Sequence, residues 1–180
     1  GRLRTTALTS LLLILSLVLL SLPLRAHDPY TSFAEARLLA DKLELTLTLA
    51  RSSAHDLLPD AKKLPAITPG NYPEFAPKLR AVAGDLIRLS AGGKPLKFVA
   101  GDAKISGDND ITFTLIFAKP SASPLRFIAD YLGYLVDGHV STIVVTGPAG
   151  EDIGWSPVTM DQPVFQVALP APSLAAKSKK

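Results

Sequence analysis

The sequence predicts a mainly β fold: a β-sandwich, immunoglobulin-like or similar, with one or two short helices inserted between its early strands. Three observations predict it. Leu43, Leu45, Leu47 and Leu49 alternate with Glu44, Thr46 and Thr48, further short apolar runs follow as far as Leu169, and Gly- or Pro-containing turns separate them. Period-two alternation buries one face of a strand, whereas a helix would scatter those four leucines around its circumference. Many short strands divided by turn residues are the signature of a sandwich or barrel.

In chain order, Ala34–Ala50 forms two strand-like halves divided by Asp41-Lys42. Ser52-Ser53 offers an N-cap for a short helix through Leu58, stopped by Pro59. The Pro-, Gly- and Asn-rich stretch from Lys62 to Pro73 is a surface connection. A second helix is expected from Pro73 to about Val82, with Pro73 in the first turn, where its missing N–H costs least, and Gly84 at the end. Strands are then expected at Leu86–Ser90, Leu96–Ala100, Ile111–Phe117, Leu125–Ala129, Val140–Val145, Ile153–Val158 and Val164–Leu169. Gly92-Gly93 and Gly107-Asp108-Asn109-Asp110 supply turns between them.

The N-terminus has a different character. Arg2 and Arg4 precede an apolar run from Leu11 to Leu20 broken only by Ser16, and Pro23 and Ala26 follow. A basic start, an apolar middle and a small-residue end are the parts of a secretory signal peptide. Residues 1–26 are therefore expected to be a signal peptide cut after Ala26, residues 27–170 a single domain, and residues 171–180 a disordered basic tail. The expected location is extracytoplasmic, periplasmic or secreted, and only an uncleaved N-terminal segment would touch the membrane.

Charge excludes one class of partner. Setting aside Arg2, Arg4 and Arg25, then Lys177, Lys179 and Lys180 of the tail, leaves 13 basic residues against 16 acidic ones, so the pI of about 9.2 belongs to the chain ends. A nucleic-acid surface needs a basic excess on the folded body. The chain has no cysteine, which excludes disulfides, thiolate metal sites and a cysteine nucleophile.

Two stretches together carry a family likeness. Ala26-His27-Asp28-Pro29 with the strands Ala36-Arg37-Leu38 and Leu43–Leu47, and later Leu125-Arg126-Phe127 with Gly138-His139-Val140 and Thr142–Val145, resemble the N-terminal extracytoplasmic domain of HupE/UreJ-type membrane proteins. The resemblance implies the soluble half of such a protein, with a link to nickel handling. No apolar span follows Leu169, so the transport activity of a membrane region does not carry over.

The candidate chemistry centres on three histidines. Cleavage after Ala26 would give His27 a free α-amine beside its imidazole, a pair able to chelate copper or nickel, and His55 or His139 would supply a further nitrogen. Asp56, next to His55, could orient that ring. Asp108, Asn109 and Asp110 lack the Gly and Glu of a calcium loop, with Phe113 and Lys119 in their places, and form a hairpin turn. No Gly-x-Ser-x-Gly elbow, His-Glu-x-x-His or phosphate-binding glycine loop occurs, and the catalytic set is empty. Phe127, Tyr131, Tyr134 and Trp155 are expected as core and edge filling.

The expectation from sequence is a non-enzymatic exported accessory or binding domain for an envelope or membrane protein, with candidate copper or nickel ligands His27, His139 and His55. The alternatives are a secreted copper-dependent histidine-brace enzyme and a structural envelope protein.

Overall fold

The structure is a computed structural model that describes residues 30–107 and 109–170. The expected signal peptide, its cleavage after Ala26, His27, Asp108 and the tail 171–180 lie outside the described residues. Among the described residues ten strands form two sheets, as the alternation predicts. They are β1 (Thr31–Leu38), β2 (Lys42–Ala50), β3 (Arg88–Ala91), β4 (Lys94–Pro95), β5 (Phe98–Ser106), β6 (Asp110–Ala118), β7 (Leu125–Ile128), β8 (Val140–Thr146), β9 (Asp152–Thr159) and β10 (Val164–Val167). Two helices, α1 (Arg51–Asp56) and α2 (Tyr72–Val82), lie between β2 and β3. No helix among the described residues is long and apolar enough to cross a membrane.

The larger sheet has the order β5-β6-β2-β1-β8-β9 and the smaller β10-β7-β3-β4. Every pairing is antiparallel except β1 with β8, which run parallel with Ser32 opposite Ser141. The alternation in β2 works as its pattern demands: all four leucines are fully buried, opposite Phe117, Leu115, Phe113 and Ile111 of β6. Each such leucine contributes roughly 1.5–3 kcal/mol by leaving water. Phe127 and Leu125 of β7 and Leu89 of β3 meet them from the smaller sheet, while Phe75 and Leu79 of α2 close one side. Gly101 of β5 lets this happen, because a Cβ there would lie 2.6 Å from Ala83 Cβ.

Several element boundaries differ from the sequence expectation, each for a tertiary reason. The first helix begins at Arg51 with no side-chain cap from Ser52 or Ser53. The β2 ladder runs to Ala50, and Arg51 N–H bonds at once to the Asn109 carbonyl at 2.8 Å, so the helix starts without a capping turn. The strand expected from Leu86 starts at Arg88, because a 3₁₀ turn (Ala83–Asp85) extends α2 and Leu86 gives its carbonyl to Tyr131 N–H. The run Leu96–Ala100 is split, since the chain leaves the smaller sheet after Pro95 and joins the larger one at Phe98. The last strand stops at Val167, and Leu169 N–H bonds to Ser123 Oγ.

Candidate functional site

One end of the larger sheet gathers the polar chemistry. β1 and β8 begin there and β2 finishes there, because Ser32 faces both Leu49 and Ser141 in register. Ser32 and Ser141 are the first inward positions of their strands, where Ala34, Ala36, Ile143 and Val145 follow. A five-residue 3₁₀ turn (Asp130–Tyr134) lays Tyr131 over this pair, and a bidentate Arg88–Asp130 contact at 2.5 and 2.7 Å fixes the start of the turn to β3.

The result is a chain of three buried groups. His139 Nε2 lies 2.9 Å from Ser32 Oγ, which lies 2.9 Å from Tyr131 Oη. Ser141 Oγ is buried beside them outside hydrogen-bond geometry. Burial holds the Tyr131 phenol above its ordinary value, against opposing pulls from the Ser141 and Ser32 hydroxyls. A serine hydroxyl on an imidazole nitrogen has the spacing of a nucleophile and its base. Here both side chains are buried and the phenol shares the hydroxyl, so a substrate carbonyl has no approach to Ser32. In this arrangement the network locks the β1–β8 pairing.

His55 sits at the same sheet end but in other surroundings. It lies on α1 with its side chain 16% exposed, its ring 6.3 Å from that of Phe75 and Nδ1 3.8 Å from Asp56 Oδ1. Asp56, expected from sequence to orient this ring, lies beside it, but 3.8 Å is too long for a hydrogen bond. His139 opens β8, as expected, with its ring inside the protein. Among the described residues no three histidine or carboxylate side chains converge to hold a metal ion.

The outer face of the larger sheet is the third feature. Phe33 of β1, Val140 of β8 and Trp155 of β9 point away from the core and are 43%, 37% and 62% exposed. Phe33 neighbours Thr142 on β8 and Trp155 neighbours Val144, so the two rings flank β8 on the same face. Tyr30, directly before β1, is also exposed, and its carbonyl accepts Val140 N–H at 2.9 Å. On the β2–β6 half the same face is threonine-rich, with Thr48 and Thr112 hydroxyls 3.0 Å apart. The aromatic expectation therefore divides: Phe127 and Tyr131 are core, whereas Tyr134 and Trp155 stand in solvent.

Sequence reasoning missed Ser32, Ser141 and Phe33. A serine at an inward position of two apolar strands, and a phenylalanine at an outward one, were available signals, but each needed the strand phase and the β1–β8 register. No protein-family model matches the chain, and no curated protein matches it in sequence.

Proposed function

We propose that this chain is a non-enzymatic extracytoplasmic binding domain that presents the outer face of β1, β8 and β9 to a membrane or envelope protein. The observation that carries the reading is the exposed apolar group Tyr30, Phe33, Val140 and Trp155 at the point where the chain enters β1. Large aromatic side chains left in water on one sheet face are costly unless a partner covers them, and Trp and Tyr are favoured anchors in interfaces. If the N-terminal segment stays uncleaved, its apolar run ends within ten residues of Tyr30 and would bring this face toward the membrane side. The reading is compatible with the soluble half of a HupE/UreJ-type protein. The test is a photo-crosslinking residue placed at 155 or, as a control on the threonine half of the same face, at 114. A discrete protein adduct from 155 that Phe33→Ser abolishes, with none from 114, supports the reading. Equal adducts from both positions refute it.

A second reading keeps the metal. His139 directly precedes Val140, whose N–H bonds to Tyr30, and His27 is three residues upstream of Tyr30. Three extended residues span about 10 Å, so copper or nickel held by the His27 amine and imidazole could draw its third nitrogen from His139. The His139 imidazole is buried with Nε2 against Ser32, so such a site would require the ring to leave its place in that network. His55 is a less direct ligand, since α1 follows β2, two strands from β8 at about 4.8 Å per strand. Titrating copper(II) and nickel(II) into protein beginning at His27, beside protein extended by one alanine, tests this. Tight one-to-one binding lost on extension supports the site and opens assays for brace-type oxidation, whereas equal binding removes it.

A further inference from the structure

The smaller sheet ends in a notch. Strand β4 is only two residues long, and after Pro95 the chain crosses to the larger sheet, where Phe98 opens β5. Beside this crossing lies an open cleft of about 340 Å³, whose lining includes Arg88, Ser90, Leu96, Phe98, Arg126 and Ile128. Pockets for small molecules begin at about 300 Å³.

The polar part of the lining is set by strand register. Ser90 stands opposite Arg126 of β7, and Arg88, two residues before Ser90, is the diagonal neighbour of Arg126. Leu89 and Phe127, the pair between them, are buried in the core, so Arg88, Ser90 and Arg126 share the outward face. Diagonal neighbours on one face lie about 7–8 Å apart, within the joint reach of two arginine side chains. Arg88 is 67% exposed and commits Nε and Nη2 to Asp130. Arg126 is partly exposed and makes no ion pair or side-chain hydrogen bond among the described residues. Two guanidiniums and one carboxylate leave a single positive charge at the cleft.

The rest of the lining is apolar, with Leu96, Phe98 and Ile128 partly exposed. The Phe98 ring is held in place, edge-on to Phe117 at 5.5 Å and over Gly84, where a Cβ would lie 3.2 Å from it. A guanidinium fits a carboxylate with two N–H groups, and an apolar wall beside it favours hydrocarbon over water. We propose that this cleft binds a small amphipathic carboxylate, its charged end on Arg126 with Arg88 as the second cation, and its hydrocarbon part against Leu96, Phe98 and Ile128. The single net charge selects a monoanion.

The test uses the full chain in mild nonionic detergent, with hexanoate, acetate and hexanol titrated by calorimetry against a micelle-only blank. Saturable one-to-one binding of hexanoate is expected. It should be at least about tenfold tighter than that of acetate, which lacks most of the hydrocarbon, and than that of hexanol, which lacks the charge. Arg126→Met removes the charge and should weaken hexanoate at least about tenfold, with the ligand-free melting temperature unchanged. The proposal fails if hexanoate does not saturate, if acetate or hexanol binds as tightly, or if Arg126→Met binds hexanoate as the parent does. Should Arg126→Met not fold, Ser90→Glu, which gives Arg126 a carboxylate across the strand pair, decides in its place, and undiminished hexanoate affinity in that variant overturns the site.

Discussion

Ser141 lies opposite Ser32 in the parallel register of β1 and β8, yet only Ser32 is hydrogen-bonded within the buried network, bridging His139 and Tyr131. Two identical residues at paired positions thus differ in what they hold together, and their substitutions should separate cleanly.

Ser32→Ala leaves the imidazole Nε2 and the phenol without their shared partner, a loss of about 1–3 kcal/mol for buried groups. Ser141→Ala removes a hydroxyl that interacts with the Tyr131 phenol but not with His139 and should cost less than Ser32→Ala, no more than about 1 kcal/mol. Urea denaturation of both variants checks the contrast. Equal costs would show that the network does not distinguish the two serines.

The same network makes stability depend on alkaline pH. Burial raises the Tyr131 phenol above its unfolded value, so its contribution is full below the ordinary tyrosine value of about 10 and is lost as pH rises toward the folded value. Tyr72 adds to the trend in the same direction: burial first, then the Asp102 charge, raise it, and it donates to the Ala103 carbonyl. Tyr131→Phe should flatten the loss of stability above pH 10 in part, leaving the share due to Tyr72. Denaturation midpoints between pH 8 and 11 would reveal it, and parallel curves for parent and variant would refute it.

Gly101→Ala tests the packing of β5 against the 3₁₀ turn. The added Cβ meets Ala83 Cβ at 2.6 Å and the Phe98 ring at 3.0 Å, and an alanine methyl cannot swing aside. Overpacking of this kind costs about 1–3 kcal/mol. A circular-dichroism melt showing no loss would mean that the helix side of the core is loosely held.

Trp155 is the sole tryptophan and stands 62% exposed on the outer face, so its fluorescence should resemble that of indole in water and be readily quenched by acrylamide. Trp155→Ser should alter stability by no more than about 0.5 kcal/mol, as expected for a surface position. A shielded, blue-shifted emission from the isolated protein would show that something already covers the face and would count against an open partner surface.

How much of this was legible beforehand follows from the range of each interaction. The leucines of β2 announce their strand because alternation is local, and Pro73 announces a helix start for the same reason. The failed Ser52-Ser53 cap and the split at Pro95–Phe98 depend on where a sheet ladder ends and where the chain changes sheets, which no window of neighbouring residues contains. The candidate site was less legible still. His139 could be placed at the mouth of a strand, but its burial and its contact with Ser32 depend on a pairing between two distant parts of the chain.

That pairing also sets the order in which the domain can be completed. β2 pairs with one edge of β1 early and β6 with the far edge of β2, but the other edge of β1 waits for β8, more than a hundred residues further on. Until then β1 is an open edge with unpaired backbone groups and an aromatic outer side, the kind of edge that recruits strands from other chains. A chain that emerges N-terminus first therefore travels with its least protected strand in front. Productive folding must keep that edge vacant until the last third of the sequence arrives to close it.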